Sequence, residues 1–369
     1  MLERMSRELA DLRIVNYFTH SITDNSMPWQ VSMPAGVEVR FDRAHALKLG
    51  SFFGRHWRGL LRSIESCMDE CTPRLVISAG HGDIVRMLLI RSCRRRGIPI
   101  VHYSDANVFG ITTSNYAFRD AVRLAYLRWA LRRFDGYMTM GLCGQAYYGT
   151  VGDRRKPMFS HPYEPDYAAI QARDPRRLAM QTERLGLDPS RLRFLYSGRL
   201  VARKRVDVLI DAFAAVAADH PSWDLLIAGG GPLKDSLQAR VPANLRGRVQ
   251  FTGFLQMEDV VGCYHLSHAL VHSSGREAWG LIINEAVAAG LPIVVTYVTG
   301  AAAELVRHRV NGYVVAPGSV SEMADGMRFI ADHPDRAQLG AASLRLLAEW
   351  RTSADPVQGI RDAVNYFAK

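Results

Sequence analysis

Short apolar runs alternate with helical patterns along the second half of the chain. Each run is rich in Val, Ile, Leu, Phe or Tyr and ends near a glycine, serine or proline, which is typical of buried strands. After the first run, Val206, Leu209, Ile210, Phe213 and Val216 share one helical face. The alternation predicts a parallel sheet with helices on both faces. The predicted strands are residues 192–198, 223–229, 249–253, 269–274, 292–297 and 312–318.

The first half repeats this plan less regularly, so we predict an α/β protein with two similar domains. The domains meet in a proline-rich, polar segment near residues 161–175. We expect one domain over 1–165, a second over 166–348, and a helix within 349–369 that returns to the first. Because open parallel sheets bind ligands at the carboxyl ends of their strands, we expect a ligand between the domains. The strands predicted in the first half are residues 12–18, 36–41, 74–79, 99–103 and 135–140.

The net charge of +10 is concentrated in the first half. Residues 1–165 hold 23 basic and 15 acidic side chains, a net +8, whereas residues 166–369 hold 23 and 21, a net +2. This excess suggests an anionic partner for the first half, such as a membrane surface, a phosphorylated substrate or nucleic acid. Nucleic acid is disfavoured because no aromatic platform or reader motif is found.

Cysteine, histidine and aspartate spacings give no sign of a metal or a cofactor. The five cysteines form no CxxC pair, the rings of His265, His268 and His272 need not converge, and no D-x-D sequence occurs. The first residues, MLERMSRELADLR, lack the apolar centre of a signal peptide, and no run of about 18 apolar residues is present. We therefore expect a metal-independent, cytoplasmic protein that does not span a membrane.

Two carboxylates, Glu277 and Glu285, stand eight residues apart in SSGREAWGLIINEAVAAGLP. If a strand ends near Ser274 and a helix begins near Gly280, Glu277 lies in the loop and Glu285 about two turns into the helix. The free amides at Gly280 and Leu281 suit a diphosphate, and Glu285 suits the two hydroxyls of a ribose. Alternatively, Glu277 caps the helix and Glu285 is solvated.

These residues carry a family resemblance. The sequence EAWGLIINE, followed by AVAAGLP, resembles the E-x7-E signature of glycosyltransferase family 4, whose members are retaining enzymes of the GT-B fold. SGRLVARKRVDVLIDAF resembles the diphosphate loop of that family, and GGGP, VQFTGF, TGAAAE and NGYVVAPG follow in the family's order. The resemblance covers residues 192–330. It implies two Rossmann-like domains whose parallel sheets face each other across a cleft.

The resemblance also implies roles for individual residues. Arg199 and Lys204 would bind the diphosphate of a nucleotide-sugar donor, Glu277 would contact the transferred sugar, and Glu285 the ribose. Cations and helix amides stabilise the charge that develops on a departing diphosphate, although the basic residues could instead form a solvated turn. The expected enzyme is a retaining hexosyltransferase that acts on a hydroxyl of a lipid-linked saccharide or a lipopolysaccharide or polysaccharide precursor, bound by the first domain.

Two polar residues at predicted strand ends are candidate catalytic residues of the first domain. Asp105 follows PIVHY and can orient or deprotonate an acceptor hydroxyl, and His81 lies in SAGHGD after another strand. An Asx turn or a helix cap explains either residue equally well. The rival functions are a GT-B-fold nucleotide-sugar epimerase and a non-catalytic nucleotide-sugar-binding subunit, and the presence of Glu277 argues against the subunit.

Two segments of the first half, residues 45–63 and 119–133, mix arginines with Trp, Phe, Tyr and Leu. Such a helix can rest on anionic lipid, or it can place one face in the core and the other in water. Together with the charge excess, the two segments favour an anionic membrane surface as a partner. We therefore expect a peripheral position on the inner face of the membrane.

Overall fold

The computed structural model describes residues 2–9, 11–12, 15–18, 38–41, 57–81, 84–111 and 117–368. The chain divides into two compact units. The first comprises residues 1–140, 144–163 and 354–369, and the second comprises residues 141–143 and 164–353. Each unit is built on parallel strands with helices between them.

The strands pair in three parallel sheets, two in the first unit with the orders β1-β2 and β3-β4-β5-β6, and one in the second with the order β12-β11-β10-β7-β8-β9. The strands are β1 Val15–Phe18, β2 Glu38–Phe41, β3 Val76–Ala79, β4 Ile100–Tyr103, β5 Gly136–Thr139, β6 Met158–Ser160, β7 Leu192–Ser197, β8 Trp223–Ala228, β9 Val249–Gly253, β10 Ala269–His272, β11 Ile293–Thr296 and β12 Gly312–Val315.

Helices connect the strands and cover the sheets. They are α1 Leu2–Glu8, α2 Trp57–Cys71, α3 Ile84–Arg96, α4 Ala117–Leu131, α5 Gly141–Val151, α6 Tyr167–Gln171, α7 Pro175–Leu185, α8 Val206–Ala217, α9 Lys234–Arg240, α10 Met257–His265, α11 Leu281–Ala288, α12 Ala302–Leu305, α13 Val320–Ala331, α14 Arg336–Ser353 and α15 Pro356–Phe367. Over the described ranges, none of them is both long and apolar enough to cross a bilayer.

The sheet of the second unit has a topological switch point. Strands β8 and β9 lie on one side of β7, whereas β10, β11 and β12 lie on the other side. The direction in which strands are added therefore reverses between β7 and β10. Open parallel sheets bind ligands beyond the carboxyl ends of the two strands at such a point. The loops that follow β7 and β10 are therefore where this unit is expected to bind a ligand.

Hydrophobic burial explains why the predicted elements form. The predicted α8 stripe, Val206, Leu209, Ile210, Phe213 and Val216, is at most 2% exposed and packs into the core of the second unit. All eleven predicted strands are present, although most are shorter than predicted. One strand of the first unit, β6, was missed.

Helix α15 packs against the first unit. Its Val357, Ile360 and Ala363 join a buried cluster with Met5 and Phe159. A Cβ atom on Gly359 would lie 1.7 Å from the carbonyl oxygen of Ser160, so only glycine permits this approach of α15 to β6. Two ion pairs tie α15 and its preceding residue to the start of the chain, Arg4 with Asp355 and Arg361 with Asp11.

Candidate active site

Two loops meet beyond the carboxyl ends of β7 and β10 in the second unit. The first spans residues 198–205 and the second spans residues 273–280. The amide of Gly275 donates to the carbonyl of Arg203 at 2.8 Å, and the hydroxyl of Ser273 donates to the carbonyl of Lys204 at 2.9 Å. These two hydrogen bonds to backbone carbonyls hold the basic loop against the loop that carries Glu277.

A buried ion pair joins the two loops. The ammonium of Lys204 contacts the Oε2 atom of Glu277, and both side chains are nearly inaccessible, with 11% and 13% exposed. The guanidinium of Arg203 lies 3.6 Å from the same oxygen and is half exposed. Burial opposes ionisation of Glu277, but the neighbouring His272 and Lys204 outweigh it and lower its pKa to about 2. Glu277 is therefore a carboxylate at neutral pH.

His272, the last residue of β10, lies beneath this pair. Its side chain is fully buried, and its Nε2 atom lies 3.6 Å from the Oε2 atom of Glu277. Apart from this contact with Glu277, neither ring nitrogen has a hydrogen-bond partner among the described residues. Burial lowers the pKa of His272, so the imidazole is neutral beside the carboxylate.

Gly280 begins α11 directly after the loop of Glu277. Its φ of +90° is in the left-handed region, and a Cβ atom there would lie 2.7 Å from the Cγ2 atom of Thr299. Among the described residues no side chain caps this helix, so the first amides, including that of the half-buried Leu281, have no side-chain acceptor there. Such amides carry a partial positive charge and suit an anion.

The remaining two predicted donor-site residues lie in different environments. Glu285 is 7% exposed on α11, and the hydroxyl of Tyr264 donates to its Oε2 atom at 2.5 Å. Burial raises the pKa of Glu285, and the bond from Tyr264 opposes this shift. Arg199 has an exposed side chain and forms no ion pair with any described residue. The structure thus joins Lys204 to Glu277 and leaves Arg199 in solvent.

The candidates of the first unit follow neighbouring strands. Asp105 is exposed two residues after β4, and His81 is partly buried two residues after β3. The Nδ1 atom of His81 lies 3.1 Å from the Nε2 atom of His102, a buried residue of β4. The Nδ1 atom of His102 lies 2.7 Å from the hydroxyl of Tyr148 on α5. Within the described ranges, no cluster of three or more metal-ligating side chains is found.

Sequence reasoning did not assign four of these contacting residues: His102, Tyr148, Tyr264 and His272. Two of them carried a local signal, because His102 and His272 are polar residues inside the apolar runs PIVHY and ALVHSS. The contacts of the other two depend on which helix packs over which strand. That arrangement is set by tertiary contacts and is not visible in local sequence.

Comparison with known proteins agrees with the architecture. Residues 180–344 match the family model described as Glycosyl transferases group 1. Alpha-D-kanosaminyltransferase of Streptomyces kanamyceticus is 34% identical over 160 residues, which are 43% of this chain and 41% of that protein. The lipopolysaccharide core biosynthesis mannosyltransferase LpsB of Rhizobium meliloti is 33% identical over 177 residues, which are 46% of this chain and 48% of LpsB. The chain therefore matches less than half the length of either relative.

Structural similarity extends over most of the chain. The crystal structure of Anabaena HepE in complex with UDP superposes with a TM-score of 0.68 at 19% identity, covering 90% of this chain and 86% of HepE. At 19% sequence identity, the superposition shows a shared fold and nothing more. The chain has the GT-B fold of two parallel-sheet α/β domains, and residues 180–344 match glycosyl transferases group 1.

Proposed function

We propose that the protein is a retaining hexosyltransferase of glycosyltransferase family 4, which moves a sugar from a nucleotide-diphosphate sugar to a hydroxyl group. The observation that carries the proposal is the buried Lys204–Glu277 pair at the switch point, beside the start of α11, which no described side chain caps. A buried cation, a carboxylate and free helix amides are what a diphosphate and the attached sugar require. The matched family segment contains all three.

Each group in the second unit receives a role in this proposal. Lys204, with the exposed Arg199 as a second cation, binds the diphosphate together with the amides of Gly280 and Leu281. Glu277 accepts hydrogen bonds from the transferred sugar, and Glu285 accepts them from the ribose. The UDP bound in HepE supports a nucleoside diphosphate as the ligand of this unit.

Charge development favours attack on the face from which the diphosphate departs. The bond between C1 of the sugar and the phosphate oxygen breaks, and the acceptor oxygen bonds to C1 on the same face. The proton of the acceptor hydroxyl passes to the departing phosphate oxygen, so configuration is retained. Lys204 and the α11 amides stabilise the negative charge on that oxygen, and we expect no metal ion to be needed.

We assign the acceptor to the first unit. Asp105, beyond the carboxyl end of β4, orients the acceptor hydroxyl in this proposal. The lipopolysaccharide role in the name of LpsB supports a lipid-linked saccharide or a lipopolysaccharide or polysaccharide precursor as the acceptor. We place the enzyme in the cytoplasm, at the inner face of the membrane.

A basic surface of the first unit supports the membrane part of this proposal. Helix α4 leaves four large apolar side chains exposed on one helical face: Phe118, Val122, Tyr126 and Trp129. A cavity of about 730 Å³ at the end of α4 has five cationic side chains and one carboxylate in its lining. Apolar and cationic side chains on one surface suit an anionic bilayer. The charged lining residues are Arg128, Arg132, Asp153, Arg154, Arg155 and Lys156.

Thermal-shift measurements test the donor site. UDP-, GDP-, ADP- and dTDP-sugars are compared, and one of them at about 100 times its dissociation constant should stabilise the fold by about 2.7 kcal/mol. Lys204→Ala should abolish the shift, whereas Arg246→Ala, which removes an exposed cation from the same unit, should retain it. Equal shifts for both variants would place the diphosphate elsewhere.

Product analysis then separates the rival functions. With a saccharide acceptor, nuclear magnetic resonance should show a product with the anomeric configuration of the donor, and EDTA should leave the rate unchanged. An inverted product, or activity that EDTA removes and magnesium restores, would contradict the proposal. Release of a sugar isomer without acceptor would identify an epimerase, and donor binding without any turnover would identify a binding subunit.

A further inference from the structure

Three side chains form a continuous hydrogen-bonded chain across the first unit. The hydroxyl of Tyr148 lies 2.7 Å from the Nδ1 atom of His102, and the Nε2 atom of His102 lies 3.1 Å from the Nδ1 atom of His81. Tyr148 and His102 are fully buried, whereas His81 is partly exposed at the carboxyl edge of the sheet. The chain therefore runs from the core to the edge where ligands bind in such folds.

The direction of the hydrogen bonds follows from what each buried group can do. Tyr148 has one proton to donate, and the Nδ1 atom of His102 is its one acceptor among the described residues. Reversing the chain would leave that buried hydroxyl proton without an acceptor, which folded proteins avoid. Tyr148 therefore donates to Nδ1 of His102, which must carry its own proton on Nε2.

The position of the proton on His81 follows from that on His102. Because His102 donates from Nε2, the Nδ1 atom of His81 must be an acceptor, and a neutral His81 then has its proton on Nε2. Burial lowers the pKa of both rings, and the nearby Arg86 guanidinium lowers them further, so both are neutral at pH 7. We infer that Tyr148 and His102 are positioning residues that fix His81 as a hydrogen-bond donor, through Nε2, to an oxygen atom of the acceptor substrate.

His81 is then a hydrogen-bond donor and not a general base. A ring whose Nε2 atom already carries the proton cannot remove a proton from an acceptor hydroxyl through that atom. It can donate to a sugar oxygen and so orient the acceptor, which agrees with transfer of the acceptor proton to the departing phosphate oxygen. The contact of His81 with an acceptor oxygen rests on the proposed function, whereas the tautomer of His81 does not.

Side-chain ¹⁵N nuclear magnetic resonance of the full chain tests the tautomer without any substrate. The signals of His81 and His102 are assigned by their loss in His81→Gln and His102→Gln. Both rings should be neutral and protonated on Nε2 at pH 7. A proton on Nδ1 of His81, or an imidazolium there, would overturn the inference, whatever the activity of the protein.

Two tyrosine variants test whether Tyr148 sets the direction of the hydrogen bonds from Tyr148 to His102 and from His102 to His81. Tyr148→Phe removes the donor, so the His102 signals should shift towards a mixture of both tautomers. Tyr137→Phe is the control, since its ring stacks on Tyr148 at 4.5 Å but its hydroxyl donates to Leu131. Unchanged His102 signals in a folded Tyr148→Phe variant, or equal changes in both variants, would contradict the proposed direction.

Kinetics then test the acceptor contact. Glutamine can place an N–H near the position of the histidine Nε2, so His81→Gln should keep most of the turnover and the KM for the acceptor, whereas His81→Leu should raise that KM about tenfold or more. The KM for the donor should stay unchanged in both. Equal loss of kcat in both variants would indicate proton transfer by His81 and overturn the donor role.

Discussion

At the scale of single residues, Glu277 is held ionised in a place where burial disfavours charge. Removing one partner from a buried ion pair leaves the other charge uncompensated, which costs more than the pair itself contributes. Lys204 is the partner here, and burial lowers its pKa while Glu277 raises it. The pair is therefore stable only as a unit.

We predict a pH-dependent loss of stability in Glu277→Gln. The folded-state pKa of about 2 is below the ordinary value of 4.5, so the carboxylate stabilises the fold above pH 4.5 and this contribution falls as the pH drops towards 2. The shift corresponds to about 3 kcal/mol at pH 7. In urea unfolding, the unfolding free energies of wild type and variant should differ by that order at pH 7, and the difference should be smaller at pH 3.5 by about 1 kcal/mol. A difference in unfolding free energy that does not change with pH would contradict the lowered pKa of Glu277.

Glu285 is predicted to behave in the opposite way. Burial raises its folded-state pKa, so the protonated form is favoured in the fold, and stability is lost as the pH rises through that pKa. Glu285→Gln should therefore be at least as stable as wild type at pH 7 in urea unfolding, yet bind nucleotide more weakly by calorimetry. Each ribose bond to the carboxylate contributes roughly 1.5–3 kcal/mol.

A matched variant separates these two effects. Tyr264→Phe removes the hydroxyl that bonds to Glu285 but keeps the carboxylate. It should lower stability while retaining more nucleotide affinity than Glu285→Gln. Unchanged affinity in Glu285→Gln would remove the residue from the ribose site.

At the scale of elements, the start of α11 depends on one residue without a side chain. We predict that Gly280→Ala destabilises the protein by about 1–3 kcal/mol, because alanine at a φ of +90° is strained and its Cβ atom would approach Thr299. Nucleotide affinity should fall as well, since the strain displaces the first amides of the helix. Urea unfolding and calorimetry measure the two effects.

Gly247→Ala is the control for that variant. A Cβ atom on Gly247 would meet no atom within 4 Å. Its unfolding free energy and nucleotide affinity should remain close to those of wild type. Similar losses in both glycine variants would show that glycine content, and not the geometry at Gly280, is responsible.

Element prediction from sequence succeeded where burial follows a local period. The α8 stripe and the apolar strands can be predicted from residue spacing. The helix buries one face, and each buried strand is a short continuous run of apolar residues. Strand β6 was missed because its three residues, MFS, follow Pro157 and lack a period of their own. The site was partly predictable for a similar reason. The loop of Glu277 and the start of α11 are local features, whereas the contact of His272 with Glu277 and that of Tyr264 with Glu285 require the packed fold.

At the scale of the whole molecule, the charge excess and the apolar face of α4 lie in the same unit. We predict that the protein sediments with vesicles that contain anionic lipid and less with neutral vesicles. Each arginine near the surface contributes about 1 kcal/mol, so Arg128→Gln with Arg132→Gln should weaken binding about 30-fold. Binding should also fall with salt, because the Debye length is about 10 Å at 0.1 M.

A charge-matched variant controls for net charge. Arg176→Gln with Arg246→Gln removes two exposed arginines from the second unit. It should leave vesicle binding near the wild-type value, and both double variants should keep donor affinity. Equal weakening by the two pairs would mean that only net charge matters. Residues 45–56 of the other predicted lipid-facing segment lie outside the described residues.

The position of α15 has a consequence for biosynthesis. The ribosome completes the strands of the first unit long before it adds the helix that covers Met138 and Phe159, because residues 164–353 come between them. At about 5–20 residues per second, those 190 residues take roughly 10–40 s to translate. During that interval the nascent first unit presents an uncovered apolar face, while the second unit has every strand of its own sheet before α15 emerges. The part of the chain made first is therefore the part that finishes folding last, and the part with the greater need of a chaperone during synthesis.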